Sequence, residues 1–491
     1  MSGGDMRSRM SRHLDTLLRF ELTAAELRAL APKARGVKPL VRSAPVLPPE
    51  FTWHDYAVLL LHIAAEVEHA LMAQYLYAAY SLGGPRVPAK YREKVRHWQE
   101  VVLGIAKEEM GHLITVQNVL RLIGAPLNLD REDYPWGAQF YPFEFTLEPL
   151  TKNSLARYVY AEMPAGWDTD EAKEIKKRAQ QGSPTDQQPL HRVGELYDRM
   201  QKILANPLYV KDADFQAATT TFQASWDEWG RGYMRGARGQ ATSPQRQSTP
   251  DVIVRPVSTR DEAVEALAAV GKQGEALFYD EDDSERSHFR RFLDIYREYP
   301  DGEWTPTRPV PVNPKTVMDL NANRVVRTTA KARAATPARE CTVITHPESV
   351  TWAHLFNVRY RMLLVSLSHA YQLAGATGQG DALTPRGLII NRTFGEMYNV
   401  RALSHILVDL PLDDSGSGAA AGPPFEMPYT LDLPDTEPDR WRLHRDLLET
   451  AQQLVRTLRE KYPDRHADYL RALADLDGAA LESVRQMIPK P

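Results

Sequence analysis

The chain holds 491 residues with 60 basic and 64 acidic side chains, a formal net charge of −4, and 43% hydrophobic residues. That length exceeds one average domain, and the near-neutral balance argues against the broad basic footprint of a nucleic-acid-binding protein. One cysteine, Cys341, excludes an internal disulfide, a CxxC redox pair and a thiolate zinc site, so any metal must be held by carboxylates and some of the 14 histidines.

Residues 1–50 are basic and proline-spotted, ending in Ala44-Pro45-Val46-Leu47-Pro48-Pro49-Glu50, which predicts an extended N-terminal arm. The start, Met1 to Phe20, lacks the apolar core of a signal peptide. The most apolar stretch, Ala57 to Ala65, falls short of the ~20 residues a membrane span needs. The expectation is a cytoplasmic protein with neither membrane nor nucleic-acid partners. Thr52-Trp53-His54-Asp55 opens a long helix that stops near Ser81, before Gly83-Gly84-Pro85. A second runs from about Ala89 to Ile123 and ends at Gly124-Ala125-Pro126; long helices joined by so short a turn are expected as antiparallel neighbours.

Residues 127–150 read as an irregular connection. Helices are predicted around 155–162, from Asp170, over 189–205 and over 258–278, with 181–186 a break and 206–259 mostly non-helical. The acidic run Asp280 to Glu285 separates the last of these from a helix over 287–299. A proline-rich wrap, 300–349, leads to helical patterns at 350–373, 391–409 and 437–486 in a C-terminal region, 350–491, expected to pack on the bundle. Strand signals are thin, so the fold class is mainly α.

The chemistry concentrates in a few acids and histidines. Glu109 and His112 stand at i, i+3 on the second helix, on one face, within a stretch apolar around most of its circumference. Charges buried there need a partner or a metal. The first helix offers Glu68, with Tyr75 two turns on along the same face; Glu66 with His69 is the rival pair. Glu195 follows Gly194 on a later helix and also reads as a surface acid paired with Arg192 or Arg199. Glu275 and His288 would lie roughly 20 Å apart in one unbroken helix. They meet only if the acidic segment loops out; otherwise Glu285 and His288 form the Glu-x-x-His pair, and sequence leaves the choice open. His369 reads as a satisfied interior histidine, and Glu396 as core or surface.

Two helices giving one Glu each and two giving a Glu/His set is the pattern of carboxylate-bridged di-metal bundles. Glu68-His69-Ala70-Leu71-Met72-Ala73-Gln74-Tyr75-Leu76, Glu108-Glu109-Met110-Gly111-His112, Ala161-Glu162-Met163-Pro164, Val193-Gly194-Glu195-Leu196-Tyr197, Gln273-Gly274-Glu275 and Ser287-His288-Phe289-Arg290-Arg291-Phe292 carry a more particular likeness. With them the chain resembles the ferritin-like proteins fused to iminophenylpyruvate dimer synthases of violacein- and rebeccamycin-type pathways, over 53–299 and more loosely over 350–450. It departs from them at Ala73-Gln74, where paired prolines are common. The resemblance implies a ferritin-like four-helix metal-binding bundle over 51–299 with long insertions, and transfers little about substrate.

Imidazole and carboxylate with open positions suit two iron ions, or manganese. The ligand set expected is Glu68, Glu109, His112, Glu195, Glu275 and His288, with Glu285, Glu66 and His69 as alternates. Tyr75 and Tyr197 are expected to line the cavity or relay electrons, a plain hydrogen-bonding or core role being the alternative. The leading expectation is a non-haem diiron oxidase or oxygenase using dioxygen on a small amino-acid-derived or aromatic metabolite of natural-product biosynthesis. A metal-binding or metal-free accessory protein for another biosynthetic enzyme is the alternative; a homodimer and a partner enzyme of the same pathway remain open as assemblies.

Overall fold

The structure is a computed structural model that describes residues 47, 49–131, 141–143, 145–181, 191–229, 252–274, 287–316, 341–375, 378–379, 382–427 and 431–489. Nearly all of the predicted arm, the loop at 239–250 and both Glu275 and Glu285 lie outside the described residues.

Helix α1 (Trp53–Ser81) starts where Thr52 and Asp55 cap each other's backbone amides, and stops before Gly83 and Gly84, whose φ angles are +97° and +93°. Helix α2 (Arg92–Leu122) lies antiparallel to it: His54 at the start of α1 bonds Ile123 O past the end of α2, and Gln99 near the start of α2 bonds Ala79 O. By length and composition α1 could cross a membrane, contrary to the short apolar run read from sequence. However, 72% of its most apolar window is buried inside the protein, and it carries the buried Glu68 and His69.

Among the described residues, five further helices of ten residues or more lie in this half: α3 (Lys152–Ala161), α4 (Asp170–Ala179), α5 (Val193–Leu204), α6 (Arg260–Gly274) and α7 (His288–Glu298). Helix α5 packs on α6 and α1, α6 on α2, and α7 on α3 and α2, so α1, α2, α3 and α7 meet around one interior. The connections are held by side chains rather than by sheet. Thr115 Oγ1 donates to Ile253 O at 2.8 Å, and Asn118 Nδ2 donates to Ala224 O and Arg255 O, each at 2.8 Å.

The segment from Val252 lies so close to α2 that a Cβ at Gly111 would come within 2.9 Å of Val252 Cγ1 and 3.0 Å of the Ile253 backbone. A glycine therefore stands mid-helix, between Glu109 and His112. Gly111→Ala is expected to lower stability by about 1–3 kcal/mol through overpacking, despite a helix-propensity gain of about 1 kcal/mol. Chemical denaturation reads the sign, and a more stable variant would refute the close approach.

The C-terminal region contains α8 (Pro347–Ala370), α9 (Pro385–Leu407), α10 (Glu437–Lys461) and α11 (Ala467–Gln486). Two boundaries differ from the sequence reading. Helix α9 begins six residues earlier, with Thr384 as its cap and Pro385 in its first turn. The pattern over 437–486 is two helices, broken at Tyr462–His466 where Pro463 cannot continue the ladder and His466 turns left-handed at φ +52°. Helix α8 packs on α9 and α10, and α10 on α11. The region is tied to the bundle by Tyr371, whose hydroxyl donates to Ile114 O at 2.9 Å, and by Arg131, which donates to Phe425 O at 2.7 Å. Among the described residues, strand is limited to two two-residue pairs, Pro314–Lys315 parallel to Thr342–Val343 and Gly378–Gln379 antiparallel to Ala382–Leu383.

Candidate metal centre

Each long helix delivers its polar group to the same buried point. On α2 the three-residue spacing sets Glu109 and His112 side by side, with Glu109 Oε2 2.8 Å from His112 Nδ1. From α1, Glu68 Oε2 approaches the same nitrogen at 3.3 Å. His288, the first residue of α7, turns Nδ1 toward Glu109 Oε1 at 3.0 Å and Glu162 Oε1 at 3.9 Å. Glu162 is the residue that ends α3. Two triads result, Glu68–Glu109–His112 and Glu109–Glu162–His288, each with its ligand atoms within 4.8 Å of one another. All five residues are buried, and Glu109 belongs to both triads.

The partners behind the histidines fix which nitrogen faces inward. His112 Nε2 bonds Gln273 Oε1 at 2.9 Å, and His288 Nε2 bonds Glu108 Oε2 at 3.0 Å. Each Nε2 therefore carries its proton outward, leaving Nδ1 for the centre. Arg291 pairs with Glu108 and holds that carboxylate in place. Tyr75 donates to Glu162 Oε1 at 2.8 Å and Tyr197 to Glu68 Oε1 at 2.6 Å.

The electrostatics are those of a site short of positive charge. Burial opposes charge on His112, yet Glu109 and Glu68 outweigh it and push its pKa up to about 10. Burial likewise opposes charge on His288, and Glu109 and Glu108 raise it well above the imidazole range. Burial and the neighbouring Glu109 push Glu68 up to about 8. Burial works against ionisation of Glu109 itself, but the two histidines hold it below the usual carboxylate range. Protons on these groups do what metal ions would do in their place.

A direct sign that the residues fit a cation is the pair Glu109 Oε1 and His288 Nδ1. They face each other at 3.0 Å, both buried, and neither has a hydrogen-bond partner among the described residues. Nitrogen and oxygen donors with no thiolate suit iron or manganese. A small cavity opens beside the cluster, bounded by Glu68, Leu71, Glu109, His112, Glu162, Val193, Gly194, Tyr197, Val270, Gly271 and Gly274.

Of the residues singled out in the sequence, the structure brings together Glu68, Glu109, His112 and His288, with Tyr75 and Tyr197 bonded to the carboxylates. It does not bring Glu195 to them. In the first turn of α5, Val193, Gly194, Leu196 and Tyr197 are buried, whereas Glu195 is half-buried and pairs with Arg192 at 2.5 Å. Nor does it bring Glu66 and His69. Two residues along α1 is more than half a helical turn, so Glu66 faces away from the Glu68 side and bonds Asn128 Nδ2 at 3.1 Å and Tyr141. His69 bonds Leu129 O at 2.9 Å and Tyr360. Reading the residues alone missed Glu162, Glu108, Gln273 and Arg291 as parts of the centre. One signal was available: a carboxylate at the C-terminal end of a helix opposes the dipole, and so calls for a nearby cation.

Glu108→Gln is expected to weaken metal binding about 10–100-fold, because His288 loses the charged acceptor that orients it. Chelator competition measures this, and an unchanged affinity would remove Glu108 from the account.

A family model described as ferritin-like matches residues 61–297. The chain is 26% identical over 425 residues to a dichlorochromopyrrolate synthase of Lentzea aerocolonigenes, an alignment covering 77% of this chain and 36% of that protein. It is 32% identical over 132 residues to a 2-imino-3-(indol-3-yl)propanoate dimerase of Chromobacterium violaceum, covering 21% of this chain and 13% of that protein. The matched parts thus span little more than a third of the longer-matched relative. Among solved structures, a ferritin-like protein from Caulobacter vibrioides aligns over 72% of this chain and 98% of its own, at 18% identity and a TM-score of 0.35.

Proposed function

We propose that a chain whose residues 61–297 are a ferritin-like domain uses that domain as a cytoplasmic non-haem diiron oxidase or oxygenase in natural-product biosynthesis. Its substrate would be a small amino-acid-derived or aromatic metabolite, and its co-substrate dioxygen. The observation that carries this reading is the pair of buried triads joined through Glu109, with Glu109 Oε1 and His288 Nδ1 lacking any other partner among the described residues. The two relatives, a dichlorochromopyrrolate synthase and a 2-imino-3-(indol-3-yl)propanoate dimerase, support the substrate class.

Bound there, two irons would supply the reduction of dioxygen and the oxidation of substrate. The chain's own groups would prepare for that. Glu109 would lie between the two positions, with Glu68 and His112 completing one and Glu162 and His288 the other. Burial and the adjoining Glu162 and Glu68 push the Tyr75 and Tyr197 hydroxyls well above the ordinary phenol range, so both keep their protons and act as donors that orient the carboxylates. Leu71, Val193 and Val270 line the cavity with apolar side chains, while Gly271 and Gly274 let Tyr197 and Glu162 approach closely, a Cβ there coming within 3.3 Å of Tyr197 Cβ and 3.0 Å of Glu162 Oε2.

Iron analysis after anaerobic reconstitution is expected to give about two ions per chain, with oxygen uptake that ends on chelation. Full turnover by metal-stripped protein would sink the proposal. Unchanged thermal stability after chelation, together with co-purification of another enzyme, would favour an accessory role.

A further inference from the structure

The two triads are built alike except behind their histidines. Each has one carboxylate of its own and shares Glu109. Each private carboxylate accepts from one tyrosine, Glu68 from Tyr197 at 2.6 Å and Glu162 from Tyr75 at 2.8 Å. The histidines, however, lean on unlike partners. His288 Nε2 bonds a carboxylate, Glu108 Oε2 at 3.0 Å, which Arg291 also pairs with and fixes. His112 Nε2 bonds a neutral amide, Gln273 Oε1 at 2.9 Å.

An imidazole N–H that donates to a carboxylate makes a stronger bond than one that donates to an amide, and its opposite nitrogen becomes the better metal donor. Arg291 offsets part of the Glu108 charge. The difference expected between the positions is therefore that of one charge-assisted hydrogen bond against a neutral one, about tenfold in affinity, and not that of a free ion.

The inward-facing atoms differ in the same direction. His112 Nδ1 is already bonded to Glu109 Oε2 at 2.8 Å, with Glu68 Oε2 at 3.3 Å, so an ion entering there displaces a hydrogen bond. Glu109 Oε1 and His288 Nδ1 have no hydrogen-bond partner among the described residues, so an ion between them displaces none and satisfies two buried groups. The cavity adds a third difference. Glu68, Glu109 and His112 all border it, whereas His288 is not among the described residues that do. Water can therefore compete for the His112 position from the cavity side.

We propose that the two positions are unequal. The one formed by Glu109, Glu162 and His288 fills first and holds its ion about tenfold more tightly; the one formed by Glu68, Glu109 and His112 fills second and exchanges. Glu108 sets the stronger affinity and Gln273 the weaker. This rests on the two-ion reading of the centre.

Titration of the metal-stripped full chain with Mn(II), followed by calorimetry and by the paramagnetic signal of the free ion, tests the order without any turnover. Two steps are expected, with site affinities about tenfold apart. His288→Ala should remove the tighter step and His112→Ala the weaker. Gln273→Glu, which gives His112 the acceptor that His288 has, should strengthen the weaker step and bring the two within about threefold. A merely structural role for Gln273 predicts no such gain, and circular dichroism confirms that the variants fold. In a crystal given one equivalent of Mn(II), the anomalous peak should lie beside His288. Two sites of equal affinity would overturn this proposal alone, as would loss of the tighter step in His112→Ala, an anomalous peak beside His112, or a Gln273→Glu variant with the ratio unchanged. Binding of no ion would overturn the two-ion reading and this proposal with it.

Discussion

Replacing Glu109 with alanine should empty both halves of the proposed metal centre at once. Iron is expected to fall from about two ions per chain to well under one, with turnover lost. The reason is geometric: Glu109 is the one residue common to both triads, one carboxylate oxygen lying 2.8 Å from His112 and the other 3.0 Å from His288. His112→Ala and His288→Ala touch one triad each, so each should spare the other ion in part. Glu66→Gln and Glu195→Gln serve as controls, since Glu66 faces away toward Asn128 and Tyr141 and Glu195 is held by Arg192. Metal content read beside circular dichroism separates ligand loss from unfolding. Retention of one full ion in Glu109→Ala would show that the two positions do not share this carboxylate.

Arg359→Met should be the most destabilising single change in the C-terminal helices, by about 3–5 kcal/mol. Arg359 is fully buried, and its partners Asp477 and Glu396 are nearly so, with side-chain exposures of 4% and 7%. Removing the guanidinium leaves two carboxylates in an apolar interior, and their loss of pairing costs far more than the intact network contributes. The combined variant Arg359→Met, Glu396→Gln, Asp477→Asn should therefore recover much of the loss. Denaturant titration measures both variants; a loss below about 1 kcal/mol in the single variant would mean that water reaches the two acids.

The candidate metal centre shows what local pattern encodes. Glu109 and His112 were legible because a three-residue spacing in a helix places two side chains on one face wherever that helix packs. The apolar residues around them marked the face as interior. Glu68 could be preferred over Glu66 by the same rule, through the face it shares with Tyr75. The rule has no power across a chain break. Glu195, with its own local pattern, turns outward, while Glu162, the C-cap of a ten-residue helix, reaches the centre because α3 packs against α7.

The C-terminal helices repeat that lesson at larger scale. Their periodicity announced helices, and His369 could be read as interior, but its bonds to His444 and Glu437 cross from α8 to α10. Arg359 pairs with both Glu396 and Asp477, while among the described residues the Arg392 terminal nitrogens have no hydrogen-bond partner, which no spacing on α9 discloses. By itself, then, the sequence determined a mainly α chain, the antiparallel pair α1–α2, and a nitrogen-and-oxygen donor set centred on Glu109 and His112. Those properties depend on helical period and composition, which act over a few turns. Tertiary structure alone decided that Glu162 rather than Glu195 joins the cluster, that Glu108 and Gln273 set the histidine tautomers, and that among the described residues the Arg392 terminal nitrogens and His444 Nδ1 have no hydrogen-bond partner. Each of these depends on which helix faces which, and that is settled by burying apolar surface across hundreds of residues rather than by any local pattern.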